Sequence, residues 1–291
     1  MLAVGLNAFV NWLLMFGNWG APRMGVVGAG LASTLSNLFM FTGLLGFILW
    51  DRRFRRFHIL GHVWRPDWPK FRELLRIGIP MGLAMGFEVS GFNAAAFLMG
   101  LIDAPSLAAH AIALQVASVT FMVPMGLAQA ATVRVGLAAG SGDAEAIRKA
   151  GWTALALGVG FMALMALVLL VWPRAIVGLF LDLSRPDSAA VLAHGVAFLA
   201  VAALFQVADG AQVVGAGALR GLKDTRVPML FAGLGYWGLG IPAGALLAFP
   251  AGLGGVGIWV GLAVGLAVVA ALVGSRWTLR RRLGLISPYC P

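Results

Sequence analysis

Eight apolar stretches, most of them close to the length that crosses a lipid bilayer, constrain this chain more than any other feature. Crossing roughly 30 Å of hydrocarbon at about 1.5 Å per residue takes about 20 residues. The stretches run from Leu2 to Phe16, Met24 to Trp50, Ile77 to Ile102, Leu107 to Val133, Trp152 to Trp172, His194 to Leu219, Val227 to Phe249 and Leu253 to Trp277. Composition points the same way: 60% of the 291 residues are hydrophobic and only 11% are charged. A water-soluble chain carries about 25% charged residues, so the surface of this one must be matched to lipid. The expected fold is all-α, a polytopic membrane helix bundle with about eight transmembrane helices. The first stretch is the shortest. It lacks a basic leader, and Asn7, Asn11 and Trp12 interrupt the run that a signal peptide would have, so it reads as a membrane helix.

The net charge of +10 would suit nucleic acid if the basic residues clustered on one surface, but they alternate between connections instead. The second-to-third connection holds Arg52, Arg53, Arg55, Arg56, Arg65, Lys70, Arg72 and Arg76, and the fourth-to-fifth holds Arg134, Arg148 and Lys149. Arg220, Lys223 and Arg226 follow the sixth helix, and Arg276, Arg280, Arg281 and Arg282 follow the eighth. That places 18 of the 21 Lys and Arg on one side, with Arg23, Arg174 and Arg185 opposite. Cytoplasmic loops collect the positive charge, so the expectation is a bacterial-type inner (plasma) membrane protein with both termini cytoplasmic and no nucleic-acid partner. The Arg52–Arg56 cluster, interleaved with Phe54 and Phe57, suits the anionic inner leaflet. A single cysteine, Cys290, excludes an intramolecular disulfide and a Cys-based metal cluster.

A faint repeat links Met24-Gly25-Val26-Val27-Gly28 to Leu253-Gly254-Gly255-Val256-Gly257. Both would open a helix from the outer face, as in carriers built from two halves related by an axis along the membrane normal. If helices three to eight form one half, the first half lacks four. Chance recurrence in a chain with 40 glycines explains the likeness equally well.

Nine of the eleven acids fall in connections or at helix ends, and Glu88 and Asp209 alone sit inside apolar stretches. A mid-bilayer carboxylate costs about 2.5 to 3.5 kcal/mol on insertion scales, so it is placed for a partner or a task. Glu88 lies twelve residues past Arg76, and Asp209 eleven before Arg220, which puts each about 17 Å from the basic edge. At matching depth they can face one cavity and exchange a proton or share a monovalent cation. The competing reading is that each only hydrogen-bonds a neighbouring helix, for which Asn93, Gln115, Gln129, Gln206 and Gln212 are at hand. Gln206 and Gln212 share the helix face of Asp209 and, with Asn93 and Gln115, are candidates to line a substrate pathway. Soft and aromatic side chains, Met81, Met85, Met99, Met122 and Met125 with Phe87, Phe92, Phe97, Phe121 and Phe205, would let one cavity accept many shapes, though most such residues face lipid or neighbours. Pro80, two turns before Glu88, is the candidate hinge, ahead of Pro124, Pro228 and Pro242.

Neither Lys70, Lys149 nor Lys223 sits in a Gly-rich phosphate loop. His58 and His62 lack the Glu of a metalloprotease pair, and His110 stands alone, so no catalytic or metal site and no cofactor is expected.

Longer strings carry a resemblance. They are Gly78-Ile79-Pro80 leading to Glu88, Ala108-Ala109-His110-Ala111-Ile112-Ala113-Leu114, Phe121-Met122-Val123-Pro124-Met125-Gly126-Leu127 and Ala130-Ala131-Thr132-Val133-Arg134-Val135-Gly136. Further on come Phe205-Gln206 to Asp209-Gly210, Gly217-Ala218-Leu219-Arg220-Gly221-Leu222-Lys223-Asp224-Thr225-Arg226-Val227-Pro228, Gly235-Tyr236-Trp237 and Gly240-Ile241-Pro242. Across nearly its whole length the chain resembles the multidrug and toxic compound extrusion (MATE) family, NorM-type branch. The resemblance implies a carrier of two six-helix lobes that exports drugs or organic cations in exchange for sodium ions or protons. It implies that this chain starts at the family's fifth helix, with residues 1–50 as the last two helices of the N-lobe, 51–76 as a basic cytoplasmic linker, 77–282 as a complete six-helix C-lobe and 283–291 as a C-terminal tail. It also implies that Glu88 and Asp209 form the cation-coupling site. Where such members carry a Tyr one turn before the second acid, this chain has Phe205, which removes a hydroxyl ligand and leaves sodium versus proton open.

The expected function is therefore secondary active antiport, not enzymatic catalysis, in an N-terminally truncated form. Its partners would be the bilayer, cationic or amphipathic small molecules and a missing N-lobe. The alternatives are a non-transporting membrane fragment or split-lobe subunit, and a lipid-linked saccharide flippase, which would call for a basic cavity.

Overall fold

The structure is a computed structural model that describes residues 2–20, 22–51, 67–181 and 188–286. The basic cluster from Arg52 to Arg65, with His58 and His62, lies outside the described residues, as do Arg185 and Cys290. The chain divides into two compact units, Met1–Phe71 and Arg72–Pro291.

In the first unit, α1 (Leu2–Phe16) packs against α2 (Gly25–Trp50). Gly28 makes this possible, because a Cβ there would stand 2.7 Å from the Leu14 carbonyl oxygen. The connection turns through left-handed Gly17, Trp19 and Gly20, and Asn18 Nδ2 donates to the Trp12 carbonyl at 3.0 Å. Fifteen residues give α1 a length of about 22 Å, short of the hydrocarbon thickness. Among the described residues seven helices, rather than eight, are long and apolar enough to cross a membrane, and α1 is the one that falls short.

The third helix, α3 (Trp68–Ile102), begins well before the apolar stretch at Ile77. Its start is set by polar chemistry: Asp67 Oδ1 accepts from the Lys70 amide at 3.2 Å, and Pro69 suits a first turn. Then come α4 (Ala104–Gly140), α5 (Ala144–Val171), the short α6 (Pro173–Gly178), α7 (Ser188–Gly221), α8 (Arg226–Ala248) and α9 (Gly254–Thr278). Asp103 and Asp143 cap α4 and α5, accepting from the amides of Ser106 at 2.6 Å and Ala146 at 2.8 Å. Leu285 and Ile286, beyond α9, fold back onto the cluster around Trp277.

At the centre of the second unit is α7, packed on α4, α5 and α9. Lipid offers no hydrophobic drive for one helix to seek another, so close contact depends on small residues. Gly217 and Gly221, four apart, meet the backbone of Ala128 and Thr132 of α4, with the Val135 side chain also against Gly221, and Thr132 Oγ1 donates to the Gly217 carbonyl at 2.8 Å. Gly244 and Gly261 bring α8 and α9 together in the same way. Midway along α8, Leu234–Gly240 winds as a π-helix, where Gly235, Gly238 and Gly240 loosen the backbone and Pro242 withholds an amide donor. Large apolar side chains such as Leu83, Phe97, Leu164 and Leu246 remain on the outside, as a lipid-facing surface requires.

Candidate functional site

Within the second unit, α3, α4, α7 and α8 enclose a cavity of about 410 Å3. Glu88 lines it from α3, Gln129 from α4 and Gln212 from α7, between Met81, Met85, Phe121 and Met125. At its basic end stand Arg220, Asp224 and Thr225. Asp209 is not in the wall. It lies one turn before Gln212, only 6% exposed, with the Gln212 side chain in hydrogen-bonding reach and its Oδ1 unpartnered. Glu88 is near enough for its charge to act on Asp209, so the two acids share one electrostatic environment from different helices.

A third group joins them that the sequence reading did not single out. Tyr236, carried by the π-helical part of α8, is 1% exposed and its hydroxyl has no hydrogen-bond partner. Both carboxylates act on it electrostatically. Its ring lies on α3 over Gly91, where a Cβ would come within 3.3 Å, and its centroid is 6.0 Å from that of Phe92. The adjacent Trp237 Nε1 donates to Ser90 Oγ at 3.1 Å, which pins the same turn to α3. A tyrosine amid Gly235, Gly238 and Gly240 and just before Pro242 was the available signal, because π-helical turns favour functional sites.

The other expected pathway residues are not brought to the cavity together. Phe205 is buried in the core, packing edge-on against Phe92 at 5.9 Å and Trp259 at 5.7 Å. Gln206 is fully buried and turned toward α4, where its Oε1 accepts from Thr120 Oγ1. Asn93 and Gln115 are exposed on helix surfaces outside the cavity lining. Pro80 is buried inside an unbroken α3, two turns from Glu88. Of the soft and aromatic residues, Met99 is core, Phe87 packs over Gly233, and Phe97 and Met122 face outward. His110 is buried against the Trp259 ring at 5.5 Å, away from both acids. Among the described residues no three His, Cys, Asp or Glu side chains converge as metal ligands would.

Around the basic end, the tight loop after α7 holds two other elements. It closes through Lys223 in a left-handed conformation, with the Asp224 amide donating to the Leu219 carbonyl at 3.0 Å. Lys223 Nζ reaches Glu73 of α3 at 2.7 Å, and the next residue, Asp224, pairs with Arg276 of α9.

Comparison with known proteins gives this arrangement a lineage. Residues 80–246 match the MatE family model. A protein of Mesorhizobium japonicum named "Probable multidrug resistance protein NorM" is 57% identical over 282 residues, covering 97% of this chain and 60% of that protein. The "Multidrug resistance protein NorM" of Burkholderia vietnamiensis is 47% identical over 285 residues, covering 98% of this chain and 61% of that protein. Among solved structures, the eukaryotic MATE transporter AtDTX14 superposes with a TM-score of 0.83 at 21% identity, over 96% of this chain and 60% of that one. The chain thus spans about 60% of the length of the curated relatives it matches. On the family match, the length of shared sequence and the common fold, this multi-pass membrane protein belongs to the MATE family.

Proposed function

We propose that these helices serve secondary active antiport, exporting drugs or organic cations in exchange for sodium ions or protons. The observation that carries this reading is that Glu88 lines the cavity while Asp209, buried next to the lining residue Gln212 on α7, lies within its electrostatic reach. A coupling cation held by the two carboxylates and a cationic substrate at Glu88 compete for the same negative charge. Each therefore weakens the other, and alternating access delivers them to opposite sides. Met81, Met85, Phe121 and Met125 add a wall that adapts to varied apolar bodies. The names of the relatives, which refer to multidrug resistance, agree with this substrate range.

The distribution of Lys and Arg supports an inner-membrane orientation with the Arg220 end of the cavity, and both termini, on the cytoplasmic side. A flippase for lipid-linked saccharides would need several cations for a pyrophosphate, and this cavity is lined by one arginine, Arg220, at its basic end and by the acid Glu88.

The test is dye movement in proteoliposomes under an imposed sodium or proton gradient. The chain is assayed alone and alongside the remaining helices of the Mesorhizobium relative. Gradient-driven transport of an organic cation that is lost in both Glu88→Gln and Asp209→Asn is the expected result. Undiminished transport in both variants contradicts the reading, and insertion without transport in either arrangement favours a non-transporting scaffold.

A further inference from the structure

A second cavity, of about 590 Å3, opens between α4 and α5 at the basic end of the unit, and shares no lining residue with the space that Glu88 lines. Its walls come from these two helices and the turn that joins them. Arg134 lines it six residues before the end of α4 at Gly140, and Lys149 lines it five residues after the start of α5 at Ala144. At about 1.5 Å per residue both stand about 8 to 9 Å from the turn, so the two cations share one level. Trp152, one turn beyond Lys149 and exposed, is a side chain suited to the membrane–water boundary. Deeper in, the lining is apolar. Leu127 and Leu157 lie about 10 to 12 Å past the cations, and small side chains such as Ala130 and Ala154 leave open the gap between the helices. The acids of this hairpin do not neutralise the pair. Asp143 Oδ1 accepts from the Ala146 amide at 2.8 Å, and Glu145 takes Arg148 through both oxygens, at 2.8 and 2.7 Å. Lys149 Nζ is left 3.8 Å from that same carboxylate, beyond hydrogen-bonding range. Among the described residues no acid pairs with Arg134.

We propose that the crevice between α4 and α5 is a site for one anionic phospholipid, its phosphate held by Arg134 and Lys149 and an acyl chain laid along the apolar wall toward Leu127 and Leu157. The guanidinium fork holds phosphate oxygens through parallel hydrogen bonds, and the lysine adds a mobile point charge. Basic pockets between membrane helices suit anionic headgroups for this reason. A soluble anion would use the cations alone, whereas the apolar depth behind them fits a molecule that carries a chain behind its phosphate. A gap on a lipid-facing surface also forfeits dispersion contacts unless something fills it, and an acyl chain supplies them. The site is independent of the reading of Glu88 and Asp209, since none of its residues lines their cavity.

The experiment is native mass spectrometry of the full chain in detergent, titrated with dioleoylphosphatidylglycerol or with dioleoylphosphatidylcholine, which counts bound lipids and gives the Kd of the first. Phosphatidylglycerol should bind about ten-fold more tightly. Arg134→Gln and Lys149→Gln should each remove a large part of that preference, and the double variant all of it. Arg226→Gln, which removes an exposed charge outside the crevice, should leave the preference intact. Ala130→Phe, which fills the apolar part and keeps both cations, should weaken phosphatidylglycerol about ten-fold. Thermal unfolding without added lipid shows that each variant is folded. Equal affinity for the two lipids, an undiminished preference in the double variant, an equal loss in Arg226→Gln, or undiminished binding in Ala130→Phe overturns the inference. Displacement of the lipid by an equal concentration of inorganic phosphate assigns the cations to a soluble anion and overturns it as well. So does loss of the preference when the remaining helices of the Mesorhizobium relative are co-assembled, which assigns the crevice to those helices.

Discussion

Arg276 donates its Nε proton to Asp224 Oδ2 at the basic end of the cavity, tying the loop after α7 to α9 where their side chains are only 18% and 8% exposed. An ion pair this enclosed is costly to break on one side, because the survivor is left without a counter-charge. Arg276→Met should therefore lower stability by about 3 kcal/mol. The double change with Asp224→Leu should cost less than that single one, as measured by thermal unfolding in detergent.

Helical glycines in this chain differ in what surrounds them. A Cβ on Gly217 would meet Ala128 backbone atoms within 3.0 Å, whereas nothing lies within 4 Å of Gly160. Gly217→Ala should force α4 and α7 apart and destabilise by about 2 kcal/mol. Gly160→Ala should be neutral or gain about 0.5 to 1 kcal/mol from helix propensity. Unfolding of the two variants under the same conditions checks the contrast.

Thr120 is the hydroxyl that holds Gln206 in the α4–α7 interface. Thr120→Val leaves the buried Gln206 carbonyl oxygen without its donor, a loss of about 1 to 3 kcal/mol. Adding Gln206→Leu should recover part of that loss, since an apolar pair leaves nothing unsatisfied.

Tyr236 makes the opposite prediction. Its hydroxyl has no partner to lose, so Tyr236→Phe should leave stability within about 0.5 kcal/mol of the unaltered chain. Both acids act on the hydroxyl electrostatically, so its removal should weaken binding of the cation that competes with substrate by about ten-fold. Cation titrations of dye binding, run beside the unfolding curves, separate the two effects.

Much of this was legible in the order of residues. Long apolar runs and alternating basic connections fix the membrane helices because lipid tolerates little else. Glu88 and Asp209 stood out because charge at mid-membrane is rare. What helix periodicity does not encode is where a polar side chain points once helices pack. Gln206 and Gln212 flank Asp209 on one stripe, yet the first turns to Thr120 and the second to the cavity. Tyr236 depends on a π-helical turn, a local change of register that an ideal helix does not anticipate. Arg220 counted among the topogenic charges of the sequence, and only three-dimensional placement puts it in the wall of the same cavity as Glu88. The short α1 illustrates the reverse case, an apolar run whose helix ends at Phe16 because the chain turns at Gly17.

Competition at Glu88 and Asp209 is the centre of the account, and equilibrium binding of an organic cation dye measures it directly. In the full chain in nanodiscs, the dye Kd should rise about ten-fold or more as sodium or proton concentration is raised. Glu88→Gln and Asp209→Asn should flatten that dependence. The same cation dependence in both variants as in the unaltered chain would contradict it.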